Sequence, residues 1–119
     1  LMGHSNGTIS VTEYINRSEE NAQNVAGLIL SGSRAEITLN KKINLPLLML
    51  HHQTDQCIGT PYSEAQTNYE KLKALDSAVS EFKTIVGGEA VGNPCSDGFH
   101  MYRGAYLEAT RQIEFFVLR

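Results

Sequence analysis

The sequence predicts an α/β protein, a three-layer sandwich in which helices cover both faces of a mostly parallel sheet. Two observations predict it. Short apolar runs at residues 25–30 and 45–52 are typical of strands that are buried on both faces. These runs, and a third strand predicted at residues 81–86, alternate with segments of helical periodicity. Strands that alternate with helices form parallel sheets with right-handed crossovers.

The helices are predicted from the spacing of their apolar side chains. Residues 8–16 and 62–75 each carry one apolar face, and Thr60 and Pro61 are the expected N-cap and first residue of the second helix. The last predicted helix, residues 105–118, has as its apolar side chains Leu107, Ile113, Phe116 and Val117. The remaining segments are a polar break or surface turn at residues 18–23 and a long loop at residues 89–99.

Composition limits the function classes. The chain has 119 residues, 41% hydrophobic and 19% charged, which is enough for one globular domain. Its 10 Lys and Arg against 13 Asp and Glu leave a net charge of −3, so we expect no nucleic-acid partner. No apolar run approaches the roughly 20 residues of a membrane helix, so we expect no membrane span.

One sequence motif indicates a catalytic residue. Gly3, His4, Ser5, Asn6 and Gly7 form the pattern G-x-S-x-G, preceded by two apolar residues and followed by a predicted helix. This strand–turn–helix setting is that of a nucleophile elbow, in which both glycine positions must be small and the helix N-terminus faces a developing oxyanion. The alternatives are a Gly-rich turn with a solvent-exposed serine, or a phosphate-binding loop. The second lacks the lysine of a P-loop and the third glycine of a dinucleotide site.

Two further residues complete a candidate Ser-His-Asp set. Asp55 follows the strand at residues 45–52, and His100 follows the strand at residues 81–86. Both positions lie beyond the carboxyl ends of parallel strands, so the two side chains and Ser5 can meet at one edge of the sheet. The competing acids are Asp76, at a helix end, and Asp97, which is three residues from His100 and poorly placed to reach behind its ring.

The other histidines have structural interpretations. His4 is expected to point away from the Ser5 hydroxyl and to serve packing and hydrogen bonding. One of His51 and His52 is expected to support the core or the site. A metal site of these two histidines and Asp55 lacks a fourth ligand, so neither a metal nor a cofactor is predicted.

With these residues in place, the sequence resembles the C-terminal half of an α/β-hydrolase. Residues 46–55 resemble the strand-seven segment that ends in the acid of that family, and residues 97–104 resemble its histidine loop. The resemblance implies a serine hydrolase of ester or thioester substrates. Ser5 is the nucleophile, His100 the base and Asp55 the orienting acid, while the Asn6 N–H supplies one oxyanion donor.

The resemblance also implies that residues 1–119 are a single, incomplete domain. The first strands of the family fold and the loop with its second oxyanion donor are missing, so we expect a C-terminal fragment that is weakly active or inactive alone. Residues 34–44 stand where many relatives insert a lid and are too short for a helical one. An open site for small or surface-presented esters is therefore expected.

The alternative is a non-catalytic half-domain. The strand at residues 25–30 would then be an unpaired, apolar sheet edge, and such edges recruit a partner chain. This interpretation predicts a homodimer formed through that edge.

The same resemblance implies that the two cysteines lie close enough to pair. If Asp55 contacts His100, the loops that carry Cys57 and Cys95 are neighbours, and a disulfide becomes feasible; two separate thiols are the alternative. A disulfide would favour an oxidising compartment such as the periplasm or the cell exterior. The acyl group and the leaving group of the substrate are not predicted.

Overall fold

The computed structural model describes residues 1–40, 44–75 and 79–119. Within them the strands are β1 (Met2–His4), β2 (Leu28–Ser31), β3 (Leu47–His52) and β4 (Ser80–Ile85). The α-helices are α1 (Asn6–Arg17), α2 (Glu19–Gln23), α3 (Tyr62–Leu75) and α4 (Tyr106–Leu118), and a 3-10 turn spans Gly98–Met101. None of these described helices has the length and the apolar character needed to cross a membrane.

The strands form one parallel sheet in the order β1-β2-β3-β4, which confirms the predicted α/β class. Side chains alternate across the central strands, as the pleat of a strand requires. On one face, α1 and α3 pack on β2 and β3 through a cluster that includes Val11, Ile15, Leu28, Leu30, Leu47, Met49, Ala65 and Leu72. On the other face, α4 packs through Ala109, Ile113 and Phe116 on Ile29, Leu48 and Leu50. Helices on both faces give the three layers.

The apolar face of α4 differs from the one predicted. Leu107 and Val117 are 71% and 63% exposed, and the buried positions are Ala109 and Phe116, with Ile113 half-buried. These three residues recur at intervals of four and three along one stripe of the helix, and Leu107 and Val117 lie off that stripe. Ala109, which is absent from the predicted apolar set, is thus one of the buried positions of this helix.

The segment at residues 18–23 was predicted as a break and is a short helix. Ser18 is its N-cap, with the side-chain oxygen accepting a hydrogen bond from the Asn21 N–H at 3.1 Å. Glu19 and Glu20 lie in the first turn, where negative charge is favourable to the helix dipole. The break is therefore confined to Ser18, whose extended backbone separates α1 from α2.

The strand predicted as a free sheet edge is interior. β2 pairs with β1 through Ile29, Leu30 and Ser31 and pairs with β3 on its other side. The edge prediction was wrong because Met2–His4 itself forms a strand, so the outer positions of this sheet belong to β1 and β4.

The turn from β1 into α1 brings two backbone segments unusually close. A Cβ atom added at Gly3 would lie 2.3 Å from the carbonyl oxygen of Gly7, a distance that real Cβ atoms do not show. A Cβ atom at Gly7 would meet nothing within 4 Å. The expectation that both glycines are sterically required is therefore wrong for Gly7, since its side-chain position points into open space.

These two glycines make a matched pair for mutation. We expect Gly3→Ala to lower the free energy of unfolding by about 1–3 kcal/mol, since the methyl group must displace the backbone of the first helical turn. Gly7→Ala should leave stability unchanged or raise it by up to about 1 kcal/mol, because alanine is the better helix former. Urea denaturation of both variants measures the difference. Equal stabilities of the two variants would contradict the close approach at Gly3.

Candidate active site

Ser5 occupies the turn between β1 and α1 in a strained backbone conformation, with φ 55° and ψ −119°. Positive φ is rare for a residue other than glycine and costs on the order of 1–3 kcal/mol. Three hydrogen bonds stabilise this conformation of Ser5. The Ser5 N–H donates to the Ser31 carbonyl at 2.9 Å, and the Ser5 carbonyl accepts from the Thr8 N–H at 2.9 Å and the Thr8 hydroxyl at 2.6 Å. The strand–turn–helix setting predicted for this serine is present.

The N-terminus of α1 starts directly after Ser5. The first N–H groups of any helix lack acceptors within the helix, and Asn6 is the first residue of α1. No acidic side chain lies in the first turn of α1, so the positive end of the helix dipole is not offset there. The Asn6 side-chain oxygen accepts a hydrogen bond from Arg34 Nη1 at 3.2 Å. This end of the helix is therefore suited to a negative charge that develops beside Ser5.

Asp55 and His100 are in direct contact. The His100 Nδ1–H donates to Asp55 Oδ2 at 2.8 Å, and the side chains are 0% and 1% exposed for His100 and Asp55 respectively. Asp55 Oδ2 also accepts from the Thr60 hydroxyl at 2.9 Å, and Oδ1 accepts from the Cys57 N–H at 2.9 Å. Burial by itself would raise the pKa of Asp55. The hydrogen bonds from His100, His51 and the Cys57 N–H outweigh burial, so this pKa lies well below its usual range.

The Asp55 contact determines which nitrogen of His100 holds the proton. Because the carboxylate can only accept, Nδ1 carries the hydrogen, and Nε2 keeps its lone pair. His100 Nε2 is buried and has no hydrogen-bond partner among the described residues. An imidazole oriented from behind by a carboxylate, with its second nitrogen free, is the arrangement that a general base requires.

Ser5 lies at the same edge of the sheet as this pair, without a hydrogen bond to it. The Ser5 N–H is hydrogen-bonded to Ser31. Gly32, which follows Ser31, lies against the ring of His100, since a Cβ atom at Gly32 would be 3.2 Å from His100 Cε1. The described contacts include none between the Ser5 hydroxyl and His100 Nε2. The structure thus brings together two of the three predicted residues and places the third beside them. Such serine–histidine contacts often tighten only when substrate binds.

His51 and Thr60 support Asp55. The His51 Nε2–H donates to the Thr60 carbonyl at 2.7 Å and lies 3.1 Å from Asp55 Oδ2, while His51 Nδ1 accepts from the Ser33 N–H at 3.2 Å. This pattern makes His51 a neutral donor to the carboxylate. The sequence assigned Thr60 to the cap of α3, but that helix begins at Tyr62, and the Pro61 carbonyl accepts from Ala65. A Thr-Pro pair predicts a helix start, and nothing in the pattern shows that the hydroxyl serves Asp55.

His52 points to the opposite face of β3 and holds the loop that carries His100. Its Nε2–H donates to the Gly87 carbonyl at 2.6 Å, its Nδ1 accepts from the Thr54 N–H at 3.0 Å, and its ring stacks on Phe99 at 4.7 Å between ring centroids. Both ring nitrogens are thus used by backbone groups. Among the residues that the structure describes, no group of three or more His, Cys, Asp or Glu side chains could hold a metal ion.

Of the competing acids, Asp97 is described and takes no part in the contact with His100. Asp97 caps the 3-10 turn before His100, accepting from the Gly98 N–H at 2.8 Å, and lies 3.6 Å from Arg103. Asp76 lies outside the described residues. Asp55 is therefore the carboxylate that contacts His100 here.

His4 lies beside the pair. Its Nδ1 is 2.8 Å from the Ser31 hydroxyl oxygen, and its ring centroid is 4.8 Å from that of His100. Burial, and then the nearby imidazole of His100, lower the pKa of His4 from 6.5 to about 4, so the ring is neutral at neutral pH. Packing and hydrogen bonding, the roles expected for His4, are what the structure shows.

A disulfide joins the two loops that carry Asp55 and His100. Cys57 in the β3–α3 loop (residues 53–61) is bonded to Cys95 in the β4–α4 loop (residues 86–105), with the Cα atoms 4.6 Å apart. Cys57 is buried, and its N–H is one of the donors to Asp55. The bond therefore connects the backbone beside the carboxylate to the loop of the histidine.

A search of protein-family models, of curated proteins and of solved structures found no match to this chain. The chemistry of the site therefore follows from its own geometry. A buried carboxylate and imidazole can take up and return a proton at His100 Nε2, and a helix N-terminus can stabilise an anion beside Ser5.

The lowered pKa of His4 predicts a specific pH dependence of stability. A histidine that is neutral when folded binds a proton more tightly when unfolded, so it destabilises the fold as the pH falls from about 6.5 towards 4. We expect the free energy of unfolding to drop by about 2 kcal/mol more in the wild type than in His4→Asn between pH 7 and pH 4.5. Urea denaturation at both pH values measures this difference in the free energy of unfolding. Asp55 does not contribute to the difference, because both proteins contain it and it loses its stabilisation only below about pH 4. Identical pH dependence of the two proteins would contradict a neutral His4.

The disulfide predicts a redox dependence of stability. Its two ends are 38 residues apart in sequence. We expect reduction to lower the free energy of unfolding by about 3–4 kcal/mol, because the unfolded chain gains conformational entropy when the cross-link is removed. Thermal unfolding with and without reductant measures the effect. The double variant Cys57→Ser/Cys95→Ser is the control and should not respond to reductant. A wild type whose thiols are shown to be reduced, yet whose unfolding temperature is unchanged, would contradict the expectation.

Proposed function

We propose that this protein is a serine hydrolase that acts on carboxylic ester-type substrates, thioesters included. Ser5 is the nucleophile, His100 the general base and Asp55 the acid that orients it. The observation that carries the proposal is the Asp55–His100 pair, joined at 2.8 Å, with a buried His100 Nε2 that has no partner in the described part of the chain. The resemblance of residues 46–55 and 97–104 to α/β-hydrolase segments supports it.

In the proposed reaction, the Ser5 hydroxyl oxygen attacks the carbonyl carbon of the ester while His100 Nε2 takes its proton. The ionised Asp55 stabilises the imidazolium that forms. The oxyanion of the tetrahedral intermediate accepts a hydrogen bond from the Asn6 N–H at the start of α1. His100 then protonates the leaving alcohol, and the C–O bond of the ester breaks. Water, deprotonated by the same nitrogen, hydrolyses the acyl-enzyme.

The electrostatics of the site support this assignment of roles. A general base needs a neutral imidazole at the start and a nearby negative charge that favours its protonation in the transition state. Asp55 supplies that charge, since hydrogen bonds keep its pKa low despite burial. His51 and Thr60 donate to Asp55 without adding a full positive charge, so the charge of the carboxylate is available to His100.

The segment after β2 supports a small or surface-presented ester as substrate. Residues 34–40 lie along α1: the Asn16 side chain donates to the Thr38 carbonyl at 2.9 Å and accepts from the Asn40 N–H at 2.8 Å. Asn16 is near the far end of α1, ten residues and roughly 15 Å from Asn6. Thr38 and Asn40 therefore lie away from Ser5, and the described segment approaches the Ser5 turn at Arg34, whose side chain donates to Asn6. Residues 41–43 are outside the described part.

A second candidate is a non-catalytic module that dimerises through the sheet. β1 pairs with β2 on one side, and the other side of this strand has no partner in the described sheet. Leu1 and Met2 are 49% and 45% exposed there. Unpaired strands with exposed apolar side chains recruit a second strand. A dimer by light scattering, with no reactive serine, would favour this candidate.

The disulfide bears on where the protein works. Disulfides persist in oxidising environments, and Cys57–Cys95 closes a structural contact beside the site. We propose a periplasmic or secreted location on this ground. A protein found with both thiols free in its own cell compartment would contradict it.

Reaction with a fluorophosphonate probe tests the hydrolase proposal. We expect the wild type to be labelled at Ser5, as located by mass spectrometry, and Ser5→Ala to remain unlabelled. His100→Ala and Asp55→Asn should slow labelling by about 10²–10⁴-fold, since each removes part of the activation of the hydroxyl.

Ser10→Ala provides the matched control. Ser10 is an exposed serine on the same helix, so its loss should leave labelling unchanged. The proposal fails if Ser5→Ala is labelled as fast as the wild type, or if the wild type does not react at all.

A further inference from the structure

We propose that His4 is a positioning residue for His100: its ring, tethered through Ser31 and Tyr102, is the surface against which the imidazole of His100 is held. This inference rests on the proposed function and assigns a role to the residue that precedes the nucleophile. Three sets of contacts support it, namely the contact between the two rings, the hydrogen bonds that hold His4, and the attachment of those hydrogen bonds to the loop of His100.

The two imidazoles are in contact because Gly32 has no side chain. Their ring centroids are 4.8 Å apart with an interplanar angle of 43°. A Cβ atom at Gly32 would lie 2.7 Å from His4 Cε1 and 3.2 Å from His100 Cε1, so any side chain there would push the rings away. Gly32 also has φ +51°, a conformation that side chains rarely adopt. The backbone after β2 therefore leaves space in which both rings fit.

A chain of hydrogen bonds fixes the His4 ring. Nδ1 of His4 is 2.8 Å from the Ser31 hydroxyl oxygen, which is 2.7 Å from the Tyr102 hydroxyl oxygen, which is 3.1 Å from the Leu50 carbonyl. The carbonyl can only accept, so Tyr102 donates to it. Ser31 then donates to Tyr102, and the His4 Nδ1–H donates to Ser31. Burial raises the pKa of Tyr102, so its hydroxyl keeps the proton that this order needs.

The chain passes through Tyr102, which lies in the same loop as His100, before it ends at the Leu50 carbonyl in β3. Tyr102 follows His100 by two residues, and its N–H donates to the Phe99 carbonyl at 3.0 Å, closing the turn that carries His100. The Tyr102 ring is edge-on to the His4 ring, with centroids 5.7 Å apart. His4 therefore contacts the His100 imidazole directly and is linked, through Ser31 and Tyr102, to the turn that carries His100.

The assigned proton order leaves a neutral ring beside His100. Nε2 of His4 has no hydrogen-bond partner in the described part of the chain, and the titratable groups that face His4 are His100, Asp55, His51 and Tyr102. In the proposed reaction, His100 becomes an imidazolium, and a neutral neighbour does not repel that charge. His4 thus restricts the movement of His100 without opposing its protonation.

Two variants separate the ring contact from the hydrogen bond. His4→Asn keeps an N–H donor for Ser31 and removes the ring, while His4→Phe keeps a ring and removes the donor. With a p-nitrophenyl ester, we expect His4→Asn to lower kcat by about 10–100-fold with KM within about twofold, because the contact acts through the base in the transition state. His4→Phe, which keeps a ring beside His100, should have a kcat within about fivefold of that of the wild type.

A control variant removes a ring elsewhere. Tyr69 packs on Phe82 at 5.5 Å between centroids, on the α3 face of the sheet, and Tyr69→Leu should leave kcat within about twofold. The proposal is overturned if His4→Asn keeps the wild-type kcat, if its loss lies in KM alone, or if Tyr69→Leu lowers kcat as much as His4→Asn does.

Nitrogen-15 NMR of the histidine rings tests the same contact without turnover, in the Ser5→Ala background. We expect His4 to carry its proton on Nδ1, and His4→Asn to speed solvent exchange of the His100 Nδ1–H by at least about tenfold, since the ring that confines it is gone. A proton on His4 Nε2, or an unchanged exchange rate, would overturn the positioning role. Failure of the wild type to react with fluorophosphonate would instead overturn the hydrolase proposal, so the two failures are distinguishable.

Discussion

A buried, ionised carboxylate organises this structure. An unpaired charge in a protein interior is very unfavourable, so Asp55 can remain ionised only if donors surround it. Four groups supply them: the Cys57 N–H, the Thr60 hydroxyl, and the imidazoles of His51 and His100. These donors come from β3, from the β3–α3 loop and from the loop before α4. Satisfying one side chain therefore brings three segments of the chain together, and the geometry around His100 follows from it.

The second constraint is the strained turn at Ser5. Its positive φ is maintained because the Ser5 backbone is bonded to β2 through Ser31 and to α1 through Thr8, and because Gly3 permits the helix to start so close to the strand. Strain of this kind persists only where the surroundings over-determine the conformation, and it is concentrated at functional sites. The strained turn lies at the same sheet edge as His100 Nε2, which has no hydrogen-bond partner among the described residues.

The loop that carries His100 has little regular structure and is held at several separate points. The disulfide attaches it to the Asp55 loop, His52 binds it at Gly87, and the Glu89 N–H donates to the Arg103 carbonyl. His4 adds a further contact through Tyr102 and the ring of His100. The proposed role of His100 as a base requires such support, since a displacement of about 1 Å is enough to reduce catalysis by about 10²-fold. The parallel sheet supplies the scaffold, and these contacts supply the positional precision.

The sequence by itself determined the α/β class, the strands β2, β3 and β4, the helix α3, and the positions of Ser5, Asp55 and His100 after strands, because periodicity and turn residues are local properties. It could not determine which strand is the sheet edge, that Thr60 serves Asp55 rather than a helix cap, that Gly7 is sterically free, or that His4 contacts His100. Each of these depends on which groups meet across long sequence separations. A hydroxyl, a glycine or an imidazole has the same local pattern whatever its partner, so only the tertiary structure decided them.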